Sequence, residues 1–241
     1  MSYFITGTDT DVGKTLVSCA LLHGFVARGR RVVGMKPVAA GGSLRSNGAP
    51  TGVLLAGAAG CAAGGENDDV LQLRAASNIK ANDELVNPYA FEPAIAPHLA
   101  AQQAGIDIDL TRIVEAYREL AAQADVVIVE GAGGFMVPLN NTQTGADLAQ
   151  QLGLPVILVV GMRLGCINHA LLTVRAIVEL RLQCAGWVAN VLDADMLALQ
   201  QNIETLRERI AAPLLGVVPR MAVPNAKRAA GCLDLGLLGR G

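Results

Sequence analysis

Short apolar runs alternate along the chain with longer segments in which charged and apolar residues recur at helical spacing. The Val- and Ile-rich runs show no polar alternation, which is typical of strands buried on both faces of a parallel sheet. Strands are predicted at Tyr3–Thr6, Arg31–Lys36, Val126–Glu130, Val156–Val160, Gly186–Asn190 and Leu214–Val218. Helices are predicted at Gly13–Arg28, Leu110–Ala124, Asn168–Leu182 and Ala194–Ala211. This order predicts a single α/β domain over residues 1–241, with a doubly wound, mostly parallel sheet flanked by helices.

The segment from Gly41 to Gly65 departs from this alternation. It is rich in Gly, Ala, Ser and Asn, and a short helix is predicted around Val53–Ala59. We interpret the segment as a surface excursion, because connecting segments of this kind run over the surface of a protein.

Composition and charge exclude several classes of protein. The net charge of −2 provides no basic field, so nucleic acid is not an expected partner. No apolar run reaches the roughly 18 uncharged residues that span a bilayer, so no membrane association is expected. The N-terminus does not resemble a cleavable leader. The five cysteines have irregular spacing, which predicts a reduced, cytoplasmic protein and not a disulfide scaffold or a zinc site.

A glycine-rich loop joins the first predicted strand to the first predicted helix. Its sequence is Gly7-Thr8-Asp9-Thr10-Asp11-Val12-Gly13-Lys14-Thr15. In such loops the backbone N–H groups face the phosphate oxygens of ATP, and the following helix adds its positive dipole end. Lys14 is predicted to reach the β- and γ-phosphates, and the Thr15 hydroxyl to bind Mg²⁺. Five residues separate the two outer glycines where the common motif has four, but the position of the loop predicts a P-loop NTPase-type fold.

A lysine ends the second predicted strand, in Gly34-Met35-Lys36-Pro37-Val38. Ligands bind at the carboxyl ends of the strands in open parallel sheets, so Lys36 is expected to face the nucleotide. There its charge could neutralise a phosphoryl group during transfer.

Two acidic positions are candidates for a magnesium site. Glu130 ends an apolar strand, like the acidic residue of a Walker B element, and Asn67-Asp68-Asp69 forms a second group. Mg²⁺ prefers oxygen ligands of this type. Asn67-Asp68-Asp69 is also typical of a helix N-cap, and both roles are compatible. Asp125 begins its strand and is therefore interpreted as structural.

The chain resembles the dethiobiotin synthase family from about residue 3 to about residue 221, with a break at 42–66. The matching segments, in family order, are Gly7–Thr15, Lys36–Val38, Val86–Tyr89, Ala96–His98, Val129–Gly134, Pro155–Asn168 and Ala185–Asn190. The resemblance implies an ATP-dependent ligase that converts 7,8-diaminononanoate and CO₂ into dethiobiotin, through a carbamate and a carbamic-phosphoric anhydride. It also implies a homodimer whose active sites lie at the subunit interface.

The same resemblance implies a set of site residues. Lys36 and Lys14 are the expected catalytic residues, and Thr15, Asp69 and Glu130 the expected Mg²⁺ ligands. The expected ATP-binding residues are Asp11, Val12, Gly13, Lys14, Thr15, Leu16, Asp69, Glu130, Gly131, Ala132, Gly133, Asn190, Pro219, Arg220 and Met221. The expected substrate-binding residues are Thr10, Lys36, Ala40, Leu164, Gly165, Cys166, Ile167 and Asn168. Among these, the Asn190 amide would bind adenine, and the turn 164–168 of the neighbouring subunit would hold the substrate carboxylate.

The chain departs from the family pattern in three places. Ala40 stands where members often have a serine, so we expect one hydroxyl contact with the substrate to be missing, worth about 0.5–1.5 kcal/mol. No counterpart of a nucleotide-contacting glutamate occurs near Pro224–Lys227. The excursion between Gly41 and Gly65 is longer than usual.

Two other classes of protein share features with this sequence. An amidoligase of the cobyrinate diamide synthase type carries a glutamine-hydrolysing domain, for which this chain has no room. A partitioning ATPase of the ParA/MinD type has an additional lysine early in the phosphate loop, where this chain has the acidic stretch Thr8–Asp11. Neither class fits the sequence as well as a dethiobiotin synthase.

Overall fold

The structure is a computed structural model that describes residues 1–42 and 67–238. The strands are β1 (Ser2–Gly7), β2 (Val32–Met35), β3 (Val38–Ala40), β4 (Tyr89–Phe91), β5 (Val126–Gly134), β6 (Val156–Met162), β7 (Cys184–Val191) and β8 (Leu214–Val218). The helices are α1 (Lys14–Val26), α2 (Asp68–Ala76), α3 (Asp83–Val86), α4 (Pro97–Ala104), α5 (Leu110–Gln123), α6 (Gly145–Leu152), α7 (Cys166–Glu179), α8 (Leu199–Arg209) and α9 (Ala226–Ala230). A 3-10 helix covers Leu235–Leu237. The helix predicted at Val53–Ala59 lies outside the described residues.

Six strands form the main sheet, in the order β2-β5-β1-β6-β7-β8, and all of its pairings are parallel. Ile5 in the central strand lies opposite Glu130 on one side and Ile157 on the other. Because all six strands run in one direction, their carboxyl ends meet at one edge of the sheet. The short strands β3 and β4 pair separately, also in parallel. The predicted doubly wound α/β fold is confirmed.

Successive side chains along a strand point to opposite faces of the sheet, and each face has its own apolar layer. Phe4 and Val127 belong to the layer that contains α5, whereas Ile5 and Ile128 belong to the layer that contains α1. A further layer, against α7 and α8, surrounds Trp187, which is fully buried. Burial on both faces is why the strands lack polar residues.

The six predicted strands and the four long predicted helices are all present, with shifted ends. β5 continues through Gly131–Gly134, where the sequence predicted a turn, because Gly134 still pairs with Gly7 of β1. α8 begins at Leu199 and not at Ala194, while α7 begins at Cys166, before the predicted start at Asn168. The sequence did not predict β3, β4, α3, α4, α6 or α9. None of them is longer than α4 or α6, at eight residues each, whereas periodicity is assessed over windows of about 11–18 residues.

Asp125 has the structural role that its position predicted. Its carboxylate accepts a hydrogen bond from the Arg31 side chain, with 2.9 Å between Nη2 and Oδ1, at the amino ends of β2 and β5. The four cysteines within the described residues are free thiols, and Cys61 lies outside them. No helix in the described part of the chain is long and apolar enough to cross a membrane.

A tight contact on β8 gives a stability prediction. A Cβ at Gly216 would lie 2.0 Å from the Cys232 carbonyl oxygen, so Gly216→Ala is expected to reduce the free energy of unfolding by about 1–3 kcal/mol through overpacking. Gly231 is the control, because its φ of −68° suits alanine and the nearest atom to its Cβ position is 3.4 Å away. Denaturant titration of both variants tests this. Equal stabilities would contradict the close approach of β8 and Cys232.

Candidate active site

The phosphate loop between β1 and α1 requires left-handed backbone at two positions. Asp11 has φ 57° and Gly13 has φ 87°. Gly13 also has no room for a side chain, because a Cβ there would lie 2.2 Å from Asn190 Nδ2. Gly13 is the N-cap of α1 and provides no side chain to the first N–H groups of the helix. These N–H groups and the positive end of the helix dipole are suited to an anion.

Two neighbouring strands hold the loop in place. The backbone N–H of Thr8 donates to the carbonyl oxygen of Val159 in β6, with an N–O distance of 3.0 Å. Asn190, at the end of β7, donates from Nδ2 to the carbonyl oxygen of Val12 at 2.8 Å. Val12 itself is completely buried. The loop therefore rests on β6 and β7 as well as on its own strand.

Lys14 is buried beside the loop, with 7% of its surface exposed. Its ammonium donates to the Asp9 carbonyl oxygen at 2.9 Å. The pKa of Lys14 is lowered to about 8, first by burial and then by the charge of Lys36. The side chain of Asp9 forms an ion pair with Arg163 from the end of β6. Sequence reasoning assigned no role to Asp9 or Arg163.

Lys36 lies at the centre of the site, between two carboxylates. Its Nζ atom is 2.6 Å from Glu130 Oε1 and 2.8 Å from Asp69 Oδ2. Burial alone would lower the pKa of Lys36, but the charges of Glu130 and Asp69 outweigh it and raise the pKa. The Lys36 side chain is thus held as a cation in a buried position.

The backbone of Lys36 is fixed by the segment that leads into β4. The Lys36 N–H donates to the Val86 carbonyl oxygen at 2.8 Å. The Asn87 amide donates to the Lys36 carbonyl oxygen at 2.6 Å and to the Tyr89 carbonyl oxygen at 3.0 Å. Pro37 follows with a restricted φ. Asn87 therefore positions the lysine, a role that the sequence did not predict.

Asp69 reaches the site from the first turn of α2. Asn67 is the N-cap of this helix and accepts hydrogen bonds from the N–H groups of Asp69 and Val70. Burial would raise the pKa of Asp69, but Lys36 lowers it. The predicted helix cap at Asn67 is confirmed. The Asp69 carboxylate lies beside Thr15 and Lys36, and its role as a metal ligand stays a prediction.

The oxygen atoms around Thr15 are suited to a magnesium ion. The Thr15 hydroxyl lies 2.7 Å from Asp69 Oδ1 and 2.9 Å from Glu130 Oε1. Glu130 is fully buried, and its second oxygen, Oε2, has no hydrogen-bond partner in the described part of the chain. A buried carboxylate oxygen without a donor is stabilised by a cation. One hydroxyl and two carboxylates are hard ligands, and Mg²⁺ keeps several waters besides.

A cavity of about 830 Å³ opens above these groups. Its polar floor contains Lys14, Thr15, Lys36 and Asp69. Its walls are largely apolar and were not predicted as site residues; they include Val38, Ala94, Ile95, Ala96, Pro97 and Val137. The segments Lys36–Val38 and Ala96–His98 carried part of the family resemblance, and they were the sequence signals for this wall.

The predicted site residues differ in where they lie relative to this cavity. Those that line the cavity are Thr10, Asp11, Gly13, Lys14, Thr15, Lys36, Ala40, Asp69, Ala132 and Gly133. Glu130 is buried beneath the cavity, where its carboxylate accepts hydrogen bonds from two lining residues, Lys36 and Thr15. Val12, Leu16, Gly131 and Asn190 lie on the same loop, helix and strand ends but do not line it.

Two predicted segments lie elsewhere at the carboxyl edge of the sheet. The stretch Leu164–Asn168 is not a turn before a helix, since Gly165 is the N-cap and Cys166 already begins α7. Cys166 is buried, and burial raises the pKa of its thiol, which agrees with packing. Residues Pro219–Met221 follow β8, where Arg220 donates to the Leu192 carbonyl oxygen.

Comparison with known proteins shows to which family this chain belongs. The family model described as AAA domain matches residues 1–228. The ATP-dependent dethiobiotin synthetase of Nitrosospira multiformis is 50% identical, over 98% of this chain and 96% of its own length. Those of Aromatoleum aromaticum and Cellvibrio japonicus are 51% identical, over 97% of this chain and 97% and 96% of their own lengths. The chain belongs to the ATP-dependent dethiobiotin synthetase family. The resemblance found in the sequence is confirmed.

Solved structures support the fold. MinD of Aquifex aeolicus, in a complex with MinC, matches with a TM-score of 0.55 at 15% identity, covering 95% of this chain and 86% of that one. MinD of Pyrococcus horikoshii, complexed with Mg-ADP, has a TM-score of 0.52 at 16% identity, covering 100% and 90%. Identities this low show a shared fold alone. The predicted P-loop NTPase-type fold is confirmed, and the family relatives do not favour the partitioning-ATPase alternative.

Proposed function

We propose that this chain catalyses the ATP-dependent closure of a cyclic urea on 7,8-diaminononanoate, giving dethiobiotin, ADP and phosphate in biotin biosynthesis. One observation carries the proposal. A buried lysine, Lys36, lies between a phosphate loop and two carboxylates, in a chain about half identical to dethiobiotin synthetases over nearly its whole length. The nucleotide and the acceptor would meet at this lysine.

The reaction has three bond-forming steps. One amine of the substrate adds to CO₂ and loses a proton, which gives a carbamate. A carbamate oxygen then bonds to the γ-phosphorus of ATP as the bond from that phosphorus to ADP breaks. The second amine attacks the carbonyl carbon of this mixed anhydride, loses a proton and expels phosphate, so that the urea ring closes.

The middle step brings two anions together, and this is where the cationic side chains would act. The carbamate oxygen and the γ-phosphate repel each other unless positive charge lies between them. Lys14 and the N–H groups at the start of α1 would hold the phosphates. Lys36 would stabilise charge on the transferring group and its acceptor. The apolar wall formed by Val38, Ile95 and Val137 suits the aliphatic chain of the diamine.

A magnesium ion would be held by Thr15, Asp69 and Glu130, whose oxygens converge within hydrogen-bond distance of one another. When bound, Mg²⁺ would neutralise charge on the phosphate oxygens. Thr15 also lies in the first turn of α1, the helix that follows the phosphate loop. The loop thus links the metal ligand to the phosphate-binding N–H groups.

A cytoplasmic homodimer completes the proposal. Leu164 is 97% exposed, and the start of α7 does not line the cavity of its own chain. In a dimer, the N–H groups at this helix terminus would bind the substrate carboxylate in the cavity of the partner. Ala40 lines the cavity without a hydroxyl group, so we expect weaker binding of the substrate and unchanged chemistry.

The test is direct. The purified protein is incubated with ATP, Mg²⁺, ¹³C-bicarbonate and the diamine, and the product is analysed by mass spectrometry. We expect one labelled cyclic urea, one ADP and one phosphate per turnover. A monoamine analogue is the control, because it can form the carbamate but cannot close the ring. Phosphate release that depends on DNA or lipid vesicles and not on the diamine would overturn the proposal.

The lysine between the carboxylates predicts an order for metal binding. Because Lys36 neutralises Asp69 and Glu130 in the free protein, Mg²⁺ alone should bind weakly. With ADP present it should bind about tenfold more tightly or better, a usual size for coupling between ligands. Calorimetric titration of MgCl₂ with and without ADP measures this. Equal affinities would show that Lys36 does not compete with the metal.

A further inference from the structure

The Asn190 side chain lies where it can control the phosphate loop. Asn190 is at the carboxyl end of β7, paired with Gly161 of β6 and Val218 of β8, and 5% of its surface is exposed. A side chain between two paired strands has little freedom to move. Its amide donates to the Val12 carbonyl oxygen at 2.8 Å, across 178 residues of sequence.

Val12 is the point at which the loop is packed most tightly. Its surface is 0% exposed. A Cβ at Gly7 would lie 2.5 Å from Val12 Cγ2, and a Cβ at Gly161 would lie 2.8 Å from Val12 Cγ1. The valine side chain is therefore enclosed by the ends of β1 and β6. Its carbonyl oxygen is buried with it, and a buried carbonyl requires a donor.

The next three residues are the ones that would contact the phosphates. Gly13 follows Val12 and has left-handed backbone. The Asn190 amide packs directly against it, since a Cβ at Gly13 would lie 2.2 Å from Asn190 Nδ2. Lys14 and Thr15 come directly afterwards. The direction of their N–H groups depends on the Val12–Gly13 peptide, which the Asn190 amide holds from one side.

We propose that Asn190 is a positioning residue for the phosphate loop, in addition to any contact with the adenine base. One of its two amide N–H groups holds the Val12 carbonyl, and the rest of the amide is sufficient to bind a purine edge. This inference rests on the proposed binding of nucleotide by the loop. A positioning role can be distinguished from base recognition. If Asn190 positions the loop, its substitution should also weaken the binding of a ligand that has no base.

Hydrogen exchange in the nucleotide-free protein tests the inference independently of the proposed function. Asn190→Asp keeps the shape of the side chain and removes the donor, and Asn190→Ser is the second variant in case the first does not fold. The amides of residues 8–15 should exchange about tenfold faster in either variant. Asn78→Asp is the control, because Asn78 makes a similar bond to the Arg30 carbonyl far from the loop. Unchanged exchange in residues 8–15 would overturn the proposal.

Binding of inorganic tripolyphosphate with Mg²⁺ separates the two roles of Asn190. We expect the variants to bind tripolyphosphate about tenfold more weakly than the unaltered protein, the scale for leaving a buried carbonyl without its donor. Weaker binding of ATP with unchanged binding of tripolyphosphate would mean that Asn190 contacts the base only, and the proposal would be wrong. If the unaltered protein does not bind tripolyphosphate, the proposed function of the loop fails and the exchange result still decides the role of Asn190.

Discussion

Replacing Lys36 with alanine is expected to lower turnover by roughly 10²–10³, the usual effect of losing one charge partner in a transition state. ATP affinity should change little, because Lys14 and the loop would hold the phosphates. Steady-state kinetics and calorimetry measure the two effects separately. Lys80→Ala is the control, since Lys80 is an exposed lysine outside the site. If turnover survives the change, Lys36 is not the catalytic lysine.

Replacing Lys36 should also lower the stability of the protein, whereas replacing a surface lysine should not. Without the ammonium group, Asp69 and the fully buried Glu130 lose their cation. Breaking a buried ion pair from one side costs about 3–5 kcal/mol. Lys36→Met, which keeps the length of the side chain, should therefore unfold at lower temperature, and added Mg²⁺ should recover part of the loss. A melting temperature that is unaffected by both changes would contradict the buried pairing.

Replacing Lys14 with alanine is expected to weaken nucleotide binding by roughly 10–150-fold, since a hydrogen bond to a charged group contributes about 1.5–3 kcal/mol. Turnover should fall as well, because Lys14 would contact the phosphate that is transferred. The lowered pKa of Lys14 shows that burial and Lys36 disfavour its charge, and bound phosphates would remove this cost. Calorimetry with ADP measures the affinity. Affinity that is unchanged from the parent protein would contradict the proposed role of the phosphate loop.

The two lysine variants should differ from one another in a characteristic way. Lys14→Ala should affect the affinity for ADP, whereas Lys36→Ala should affect turnover with the affinity preserved. Both residues are buried, and they lie close enough for the charge of Lys36 to lower the pKa of Lys14. Similar losses of ADP affinity in the two variants would mean that both lysines act on bound phosphate and not on the acceptor.

The main parts of the site could be predicted because they follow strands. The phosphate loop, Lys36 and Glu130 each come directly after or at the end of an apolar run, and the carboxyl ends of parallel strands meet at one edge. The fold class therefore predicts that they share one edge of the sheet, and the pairing of β2 with β5 brings Lys36 to Glu130. Asp69 is different: its helix cap pattern gave no reason to choose it, and the family resemblance identified it.

Other parts could not be predicted, because they depend on contacts that are distant in sequence. The wall formed by residues 94–97 and the strand pair β3–β4 consists of elements of a few residues, which show no hydrophobic period. The bond from Asn87 to the Lys36 carbonyl crosses 51 residues. The bond from Asn190 to Val12 exists only because β7 is the second strand from β1 in the sheet. Such contacts require the strand order and not the pattern of one segment.

The strand order also determines how the two ends of a nucleotide would be recognised. β5 lies on one side of the central strand, and β7 lies on the other, beyond β6. Three strand spacings separate β5 from β7, or about 14 Å. A nucleotide laid over these strand tips would have its base above one pair of strands and its reacting phosphate above another. Substitutions around β7 and β8 could therefore change the preference for a base without altering the reaction chemistry. Asn190 is the exception, because its single amide would contact the base and also hold the loop that binds the phosphates.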